Sequence, residues 1–187
     1  MFNEVAGNLN NYDRKSKIYT INEDIKVVNP NHNKGAEYQQ NCQRCVPAYE
    51  LRRRGFDVTA KPAKVTAKGA LSRTDKVVQN GGWYNGIFEN IKWKMGNAGS
   101  GLNDIEKAMK SYGDGSRAEV YVQWKNGGAH VFVAEQVRGK TVFIDPQSGN
   151  EDVSHYFNDV KHGATLFARI DNLAVKDLIE ECVQNRR

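Results

Sequence analysis

Between residues 118 and 144 the chain carries a pattern that antiparallel strands satisfy and helices do not. Ala118, Val120, Val122 and Trp124 alternate with Glu119, Tyr121 and Gln123, the two-residue period of a strand with one apolar face and one wet face. Ala129–Val137 and Lys140–Ile144 follow, separated only by Arg138-Gly139, a spacing that closes a two-residue hairpin. Residues 165–170 supply one more strand. Upstream, Cys42, Cys45, Val46 and Tyr49 recur at i, i+3, i+4 and i+7, and Gly55 stands where such a helix stops, which predicts a helix of about three turns. Leu102, Ile105 and Met109 mark one face of a second helix, broken by Gly113-Asp114-Gly115. Val175, Leu178, Ile179 and Cys182 predict a C-terminal helix, with Cys182 a buried core thiol. Helices followed by a meander of strands give an α+β domain, with an early helix packed on an antiparallel sheet.

A length of 187 residues fits one domain with a core that needs no staples. Residues 1–33 are rich in Asn, Asp and Lys and end in the turn-prone Asn29-Pro30-Asn31, so they are expected to be a lead-in or linker before a domain at 34–187. No run approaches a membrane span, and the N-terminus lacks the apolar core of a signal peptide. Cys42, Cys45 and Cys182 are an odd number, too few for a disulfide framework, which favours a reducing site of action. The net charge of +5 is concentrated in residues 52–76, where eight Lys or Arg face only Asp57 and Asp75. Such a strip favours an acidic partner. Nucleic acid is not expected, because no recognition motif accompanies the charge. Trp83, Tyr84, Phe88 and Trp93 crowd a Gly-rich stretch that suits either a satellite core cluster or a substrate wall.

The cysteines carry the chemistry. Cys42-x-x-Cys45 has zinc-ligand spacing but no second pair of ligands, and it lacks the preceding strand of a thioredoxin-like redox motif. A thiol attacks a carbonyl as thiolate, which a helix N-terminus and an imidazolium both stabilise. Cys42, after Asn41 as a candidate N-cap, suits the first requirement. Among His32, His130, His155 and His162, His130 begins a strand pattern behind Gly127-Gly128-Ala129, where small residues leave its ring approachable. If Arg138-Gly139 is the turn, Val137 pairs with Lys140 and Phe132 comes opposite Asp145. His130 and Asp145 are then diagonal neighbours on one face, roughly 7 Å apart or less. A carboxylate there can orient the ring, as the third member of a triad does. Pro47, which cannot donate to Gln43, suits a helix starting near Arg44 or Cys45 and speaks for Cys45 as the nucleophile. On these residues alone, Cys42 and Cys45 both stay open.

Asn41-Cys42-x-x-Cys45-Val46-x-Ala48, the helix end at Arg54-Gly55, the segment Ala129-His130-Val131-Phe132, and Phe143-Ile144-Asp145-Pro146-Gln147-Ser148-Gly149 resemble, in this order, the papain-like fold toxins of the glutamine-deamidase group. The resemblance runs over roughly residues 38 to 170. It implies a papain-like α+β fold with a catalytic helix, Cys42 as nucleophile, His130 as general base and Asp145 as orienting acid, with Cys45 a packing residue one turn on. It identifies no oxyanion donor; the Cys42 N–H and a side chain among Gln39, Gln40 and Asn41 are candidates, and Gln147 lies beside the site. It implies a hydrolase that needs neither metal nor organic cofactor and converts a glutamine of an acidic target protein to glutamate through a thioester. The alternatives are a cysteine peptidase, a transglutaminase, or a non-catalytic virion- or partner-binding module. It further implies a delivered or phage-associated effector acting in the target-cell cytoplasm, with an immunity protein as a second partner.

Overall fold

The computed structural model describes residues 9–187. Helix α1 (Ile21–Val28) and the short α2 (Ala36–Gln39) precede α3 (Cys42–Arg53) and strand β1 (Val58–Ala60). Then come α4 (Lys76–Gln79), β2 (Lys94–Gly96), α5 (Leu102–Tyr112), β3 (Arg117–Trp124), β4 (Ala129–Val137), β5 (Lys140–Ile144), β6 (Val160–Arg169) and β7 (Val183–Asn185). Strands β2-β6-β3-β4-β5 form one antiparallel sheet in that order, and β1 pairs with β7 in a second. This is the expected α+β arrangement.

The β4–β5 hairpin has the expected register, Val137 opposite Lys140 and Val133 opposite Ile144. Both turn residues, Arg138 and Gly139, hold positive φ angles (49° and 76°), the twist that a two-residue turn needs between right-twisted strands. Alternation along the strands feeds two cores. Val120, Val122, Phe132 and Phe143 pack with Ile105 and Met109 of α5. Val131, Val133 and Ile144 pack on the other face with Cys45, Val46 and Tyr49 of α3.

Helix α3 is therefore covered on nearly all sides, with every residue from Arg44 to Arg52 buried, where the spacing predicted a single apolar face. Charge pairing makes this tolerable. Arg52 Nε lies 3.0 Å from Asp24 Oδ1, and its Nη1 reaches Asp57 Oδ1 at 2.8 Å and the Val58 carbonyl at 2.9 Å. Arg53 joins Asp24 and Glu135, while Arg54 and Arg117 clasp Glu50. The cations that open the basic strip are thus spent inside the fold; Lys64, Lys68, Arg73 and Lys76 are exposed, the last paired with Glu181.

Three expectations are corrected. The lead-in at 1–33 is not a passive linker over its described part. Ile25 and Val28 are fully buried, each worth about 1.5–3 kcal/mol of apolar burial, and Asp24 gathers Lys15, Arg52 and Arg53. Residues 1–8 of it lie outside the described residues. The C-terminal helix is a single 3₁₀ turn, Asp177–Glu181, because the chain next leaves to pair Val183 with Ala60 on β1; Cys182 is buried as expected. The wet face of β3 is not wet at Glu119, which is completely buried.

Candidate active site

Helix α3 begins at Cys42, with Asn41 as its N-cap residue. Asn41 does not cap with its side chain. Its carbonyl receives the Arg44 and Cys45 N–H groups instead (2.8 and 3.0 Å), and its buried amide ties neighbouring segments together. Nδ2 donates to Asn29 Oδ1 and the Lys61 carbonyl, both at 3.2 Å, while Oδ1 accepts from Asn29 Nδ2, Gln147 Nε2 and Cys45 Sγ, each at 3.3 Å. Pro47 falls in the second turn, later than expected. A helix starting at Cys42 leaves the Cys42 and Gln43 amides in the first turn without intrahelical acceptors. Cys42 is half-buried beside them.

Cys45 lies fully inside the core. Burial pushes its thiol well above the ordinary cysteine range, and the negative charges of Cys42 and Asp145 add to this. A thiol that resists ionisation and touches no solvent is a poor nucleophile.

His130 stands at the open end of β4 between Trp124, Phe132 and Tyr156, whose rings lie 6.1–6.2 Å away. Its Nε2 is 3.2 Å from Asp145 Oδ2, which leaves Nδ1 as the other working nitrogen. Burial alone pulls the imidazole toward its neutral form. The hydrogen bond to Asp145, a hydrogen bond with Cys42 and the charges of both outweigh that, and His130 is pushed up to about 10.

Asp145 explains the residues that follow it. It accepts the Gln147 N–H (3.0 Å) on Oδ1 and the Ser148 and Tyr156 hydroxyls (2.8 and 2.9 Å) on Oδ2, and its backbone N–H donates to the Asn150 carbonyl. The Asp-Pro-Gln-Ser-Gly run is a turn wrapped around one carboxylate. Burial works against its charge, but the His130 interaction and the two hydroxyls hold Asp145 below its ordinary value. Tyr156 had no sequence signal; it arrives from a polar loop after β5. Gln147 spends one amide proton on Asn41. Gln40 and Gln39 are exposed.

A cleft of about 590 Å³, lined by Tyr121, Trp124, Lys125, Ala129, Lys161 and His162, opens at the end of β4 where Ala129 precedes His130; Cys42, His130 and Asp145 do not line it. The aromatic stretch is partly core and partly a surface cluster. Phe88 is core, whereas Trp83 stacks flat on Tyr121 (4.0 Å, 6°) at the cleft and donates its backbone N–H to Gln43 Oε1 at 3.0 Å. Tyr84, half exposed, stacks on Trp93. His155 and His162 are exposed, and His32 lies apart with an unpartnered Nδ1. Among the described residues no group of three or more His, Cys, Asp or Glu could hold a metal ion, and no helix is long and apolar enough to cross a membrane.

The model of the family described as papain fold toxin 1, glutamine deamidase, matches residues 40–150, more than half of the chain. The chain belongs to that family. No curated protein and no solved structure gives a match. Within this papain-fold toxin, Cys42, His130 and Asp145 fall inside the matched span and Tyr156 outside it. A sulfur at a helix N-terminus, an imidazole and a carboxylate in that sequence are chemically competent to form a thiolate–imidazolium pair.

Proposed function

We propose that the protein is a cysteine-dependent deamidase that converts a glutamine side chain of a target protein to glutamate, with Cys42, His130 and Asp145 as its catalytic triad. The observation that carries this reading is the His130 ring, held 3.2 Å from Asp145 through Nε2, with Cys42 at the start of α3 among the groups that favour its cationic form. The Cys42 thiolate attacks the side-chain carbonyl carbon of glutamine. The tetrahedral oxyanion is held by the free first-turn N–H of Cys42, with Gln40 as the unencumbered side chain nearby. As the C–N bond breaks, imidazolium His130 passes its proton to the nitrogen and ammonia leaves, giving a thioester. Water, deprotonated by His130, attacks the thioester and releases glutamate and the thiolate. Asp145 keeps the ring oriented and its cationic form favourable.

The cleft at the end of β4, outside the three residues themselves, supports a protein substrate as a place for the chain that flanks the glutamine, with Lys125 and Lys161 for its acidic neighbours. Family membership supports a toxin delivered to a recipient cell, and an immunity protein would be its second partner.

Two measurements test the reading. Iodoacetamide at neutral pH should alkylate Cys42 selectively and far faster than an unperturbed thiol. Bacterial and eukaryotic lysates treated with the protein should acquire Gln-to-Glu sites by mass spectrometry that the Cys42→Ala variant does not produce. Chain cleavage in place of amide-to-acid conversion would make it a peptidase, and no Cys42-dependent change in either lysate would sink the catalytic reading.

A further inference from the structure

Five carboxylates other than Glu119 are buried in the described structure, and each has a hydrogen-bonded or ionic partner. Asp24 has Lys15 and two arginines, Glu50 has Arg54 and Arg117, Asp75 has Arg44, Glu135 has Tyr49 and Arg53, and Asp145 has its turn and His130. Glu119 has none: it is completely buried, and neither carboxyl oxygen has a hydrogen-bond partner. A buried charge without a partner is costly, and the group escapes that cost by keeping its proton. Burial raises Glu119 well above the ordinary carboxylate range, and the negative charge of Cys42 raises it further.

Its location gives the proton a use. Glu119 sits mid-strand in β3, opposite Val133 of β4 and Ala168 of β6, both apolar. Its same-face neighbours along β3 are Arg117, which clasps Glu50 of α3, and Tyr121, which packs into the α3-side core. Glu119 thus faces α3, and Cys42 of that helix and Cys182 after the 3₁₀ turn, which share the core that Tyr121 packs against, are the ionisable groups coupled to it. Burial pushes Cys182 up to about 12, so it brings no charge of its own at neutral pH. Arg44, the cation nearest Cys182, is occupied by Asp75 and the Glu181 carbonyl.

We propose that Glu119 is a positioning residue for Cys42, an uncharged acid built into the floor of the site so that negative charge can form on the sulfur above it. The proposal rests on the reading of Cys42 as nucleophile. An ionised carboxylate there would repel the thiolate through a dry, weakly screened core, and an apolar side chain would add nothing to offset its charge; the neutral acid contributes a dipole and no charge. Ketosteroid isomerase shows that a buried carboxylic acid can be kept neutral to serve developing negative charge. The fold bears an unpartnered polar group for this, so stability and reactivity should move in opposite directions when it is removed.

The test is the rate of Cys42 alkylation by iodoacetamide as a function of pH, resolved by peptide mapping, in the parent, Glu119→Met and Glu119→Gln. Glu119→Met should unfold at higher temperature yet alkylate Cys42 roughly tenfold more slowly at neutral pH, as a displacement of the pH profile by about one unit requires. Glu119→Gln, which keeps an uncharged donor, should stay close to the parent rate. A Met variant with the parent profile, or both variants alkylating faster than the parent, overturns the proposal; the second outcome would mean that Glu119 carries charge. Should the Met variant not fold, infrared difference spectra of the parent against Glu119→Gln decide the matter. A protonated-carboxyl band present only in the parent supports the proposal, and its absence overturns it. A parent whose Cys42 is no more reactive than a free thiol removes the catalytic reading itself, whereas a reactive parent matched by the Met variant removes only the role of Glu119.

Discussion

The two ends of α3 differ in how completely their buried polar groups are partnered. At the C-terminal end Glu50, Arg52, Arg53 and Arg54 are each enclosed with partners, so that charge is cancelled where it stands. At the N-terminal end Arg44 is paired with Asp75, but the Cys42 and Gln43 amides have no acceptor within the helix, Cys42 is half-buried, and Glu119, buried on the strand that faces the helix, has no partner at all. Breaking a buried pair strands a charge, so the first arrangement fixes where the helix must lie. Unspent hydrogen-bonding capacity contributes nothing to that, and it is available for a substrate. One helix is thus anchored at one end and, in the proposed mechanism, carries the nucleophile at the other.

The comparison is broken most sharply by removing one group from each end. Cys42→Ala should lower deamidation by roughly 10⁴- to 10⁶-fold, as loss of a triad nucleophile does, while its unfolding free energy changes by less than about 1 kcal/mol. Asp24→Ala should do the reverse. It strands Lys15, Arg52 and Arg53 and should cost about 3–5 kcal/mol in denaturant unfolding, with the Cys42 alkylation rate unchanged below the transition. An Asp24→Ala protein that stays folded but loses Cys42 reactivity would show that the two ends are coupled and that the division is false.

Asp145→Asn sharpens the active end. His130 at about 10 lies above its ordinary 6.5, so the stability conferred by the imidazolium is fully present below about 6.5 and is lost as pH rises through about 10. Removing the Asp145 charge should bring the His130 midpoint down by roughly one to three pH units, read from the ring proton shifts by NMR, and should narrow the window on its alkaline side. An unmoved midpoint would mean that Cys42 alone sustains the cation.

Sequence periodicity carried the sheet side of this site well. The hairpin register follows from a turn of fixed length between strands of period two, and it is what brings His130 and Asp145 to the same place. The helix side was harder to read. A helix buried all round has no polar face to reveal it, so Arg52 read as part of a basic strip for an acidic partner and the Asp24 segment as a linker. Glu119 read as solvent-facing for a related reason: alternation reports which residues share a face, and α3, which covers that face, lies far away in sequence. The 3₁₀ turn at Asp177–Glu181 shows the same limit, since the pairing of β7 with β1 outweighs a local helical pattern.

The smallest of the expected effects tests which cysteine acts. Pro47 spoke for Cys45, yet α3 starts at Cys42, and Cys45 is enclosed with its sulfur 3.3 Å from Asn41 Oδ1, where burial keeps it a thiol. Cys45→Ala deletes one buried sulfur and one weak hydrogen bond, so it should cost about 1–2 kcal/mol of stability. It should leave both the alkylation rate of Cys42 and the Gln-to-Glu conversion within about twofold of the parent, because Asn41 retains its bonds to Asn29, Lys61 and Gln147. If turnover instead vanished with Cys45 while Cys42→Ala remained active, the nucleophile would have to be reassigned one turn along the helix, to a sulfur that the core encloses.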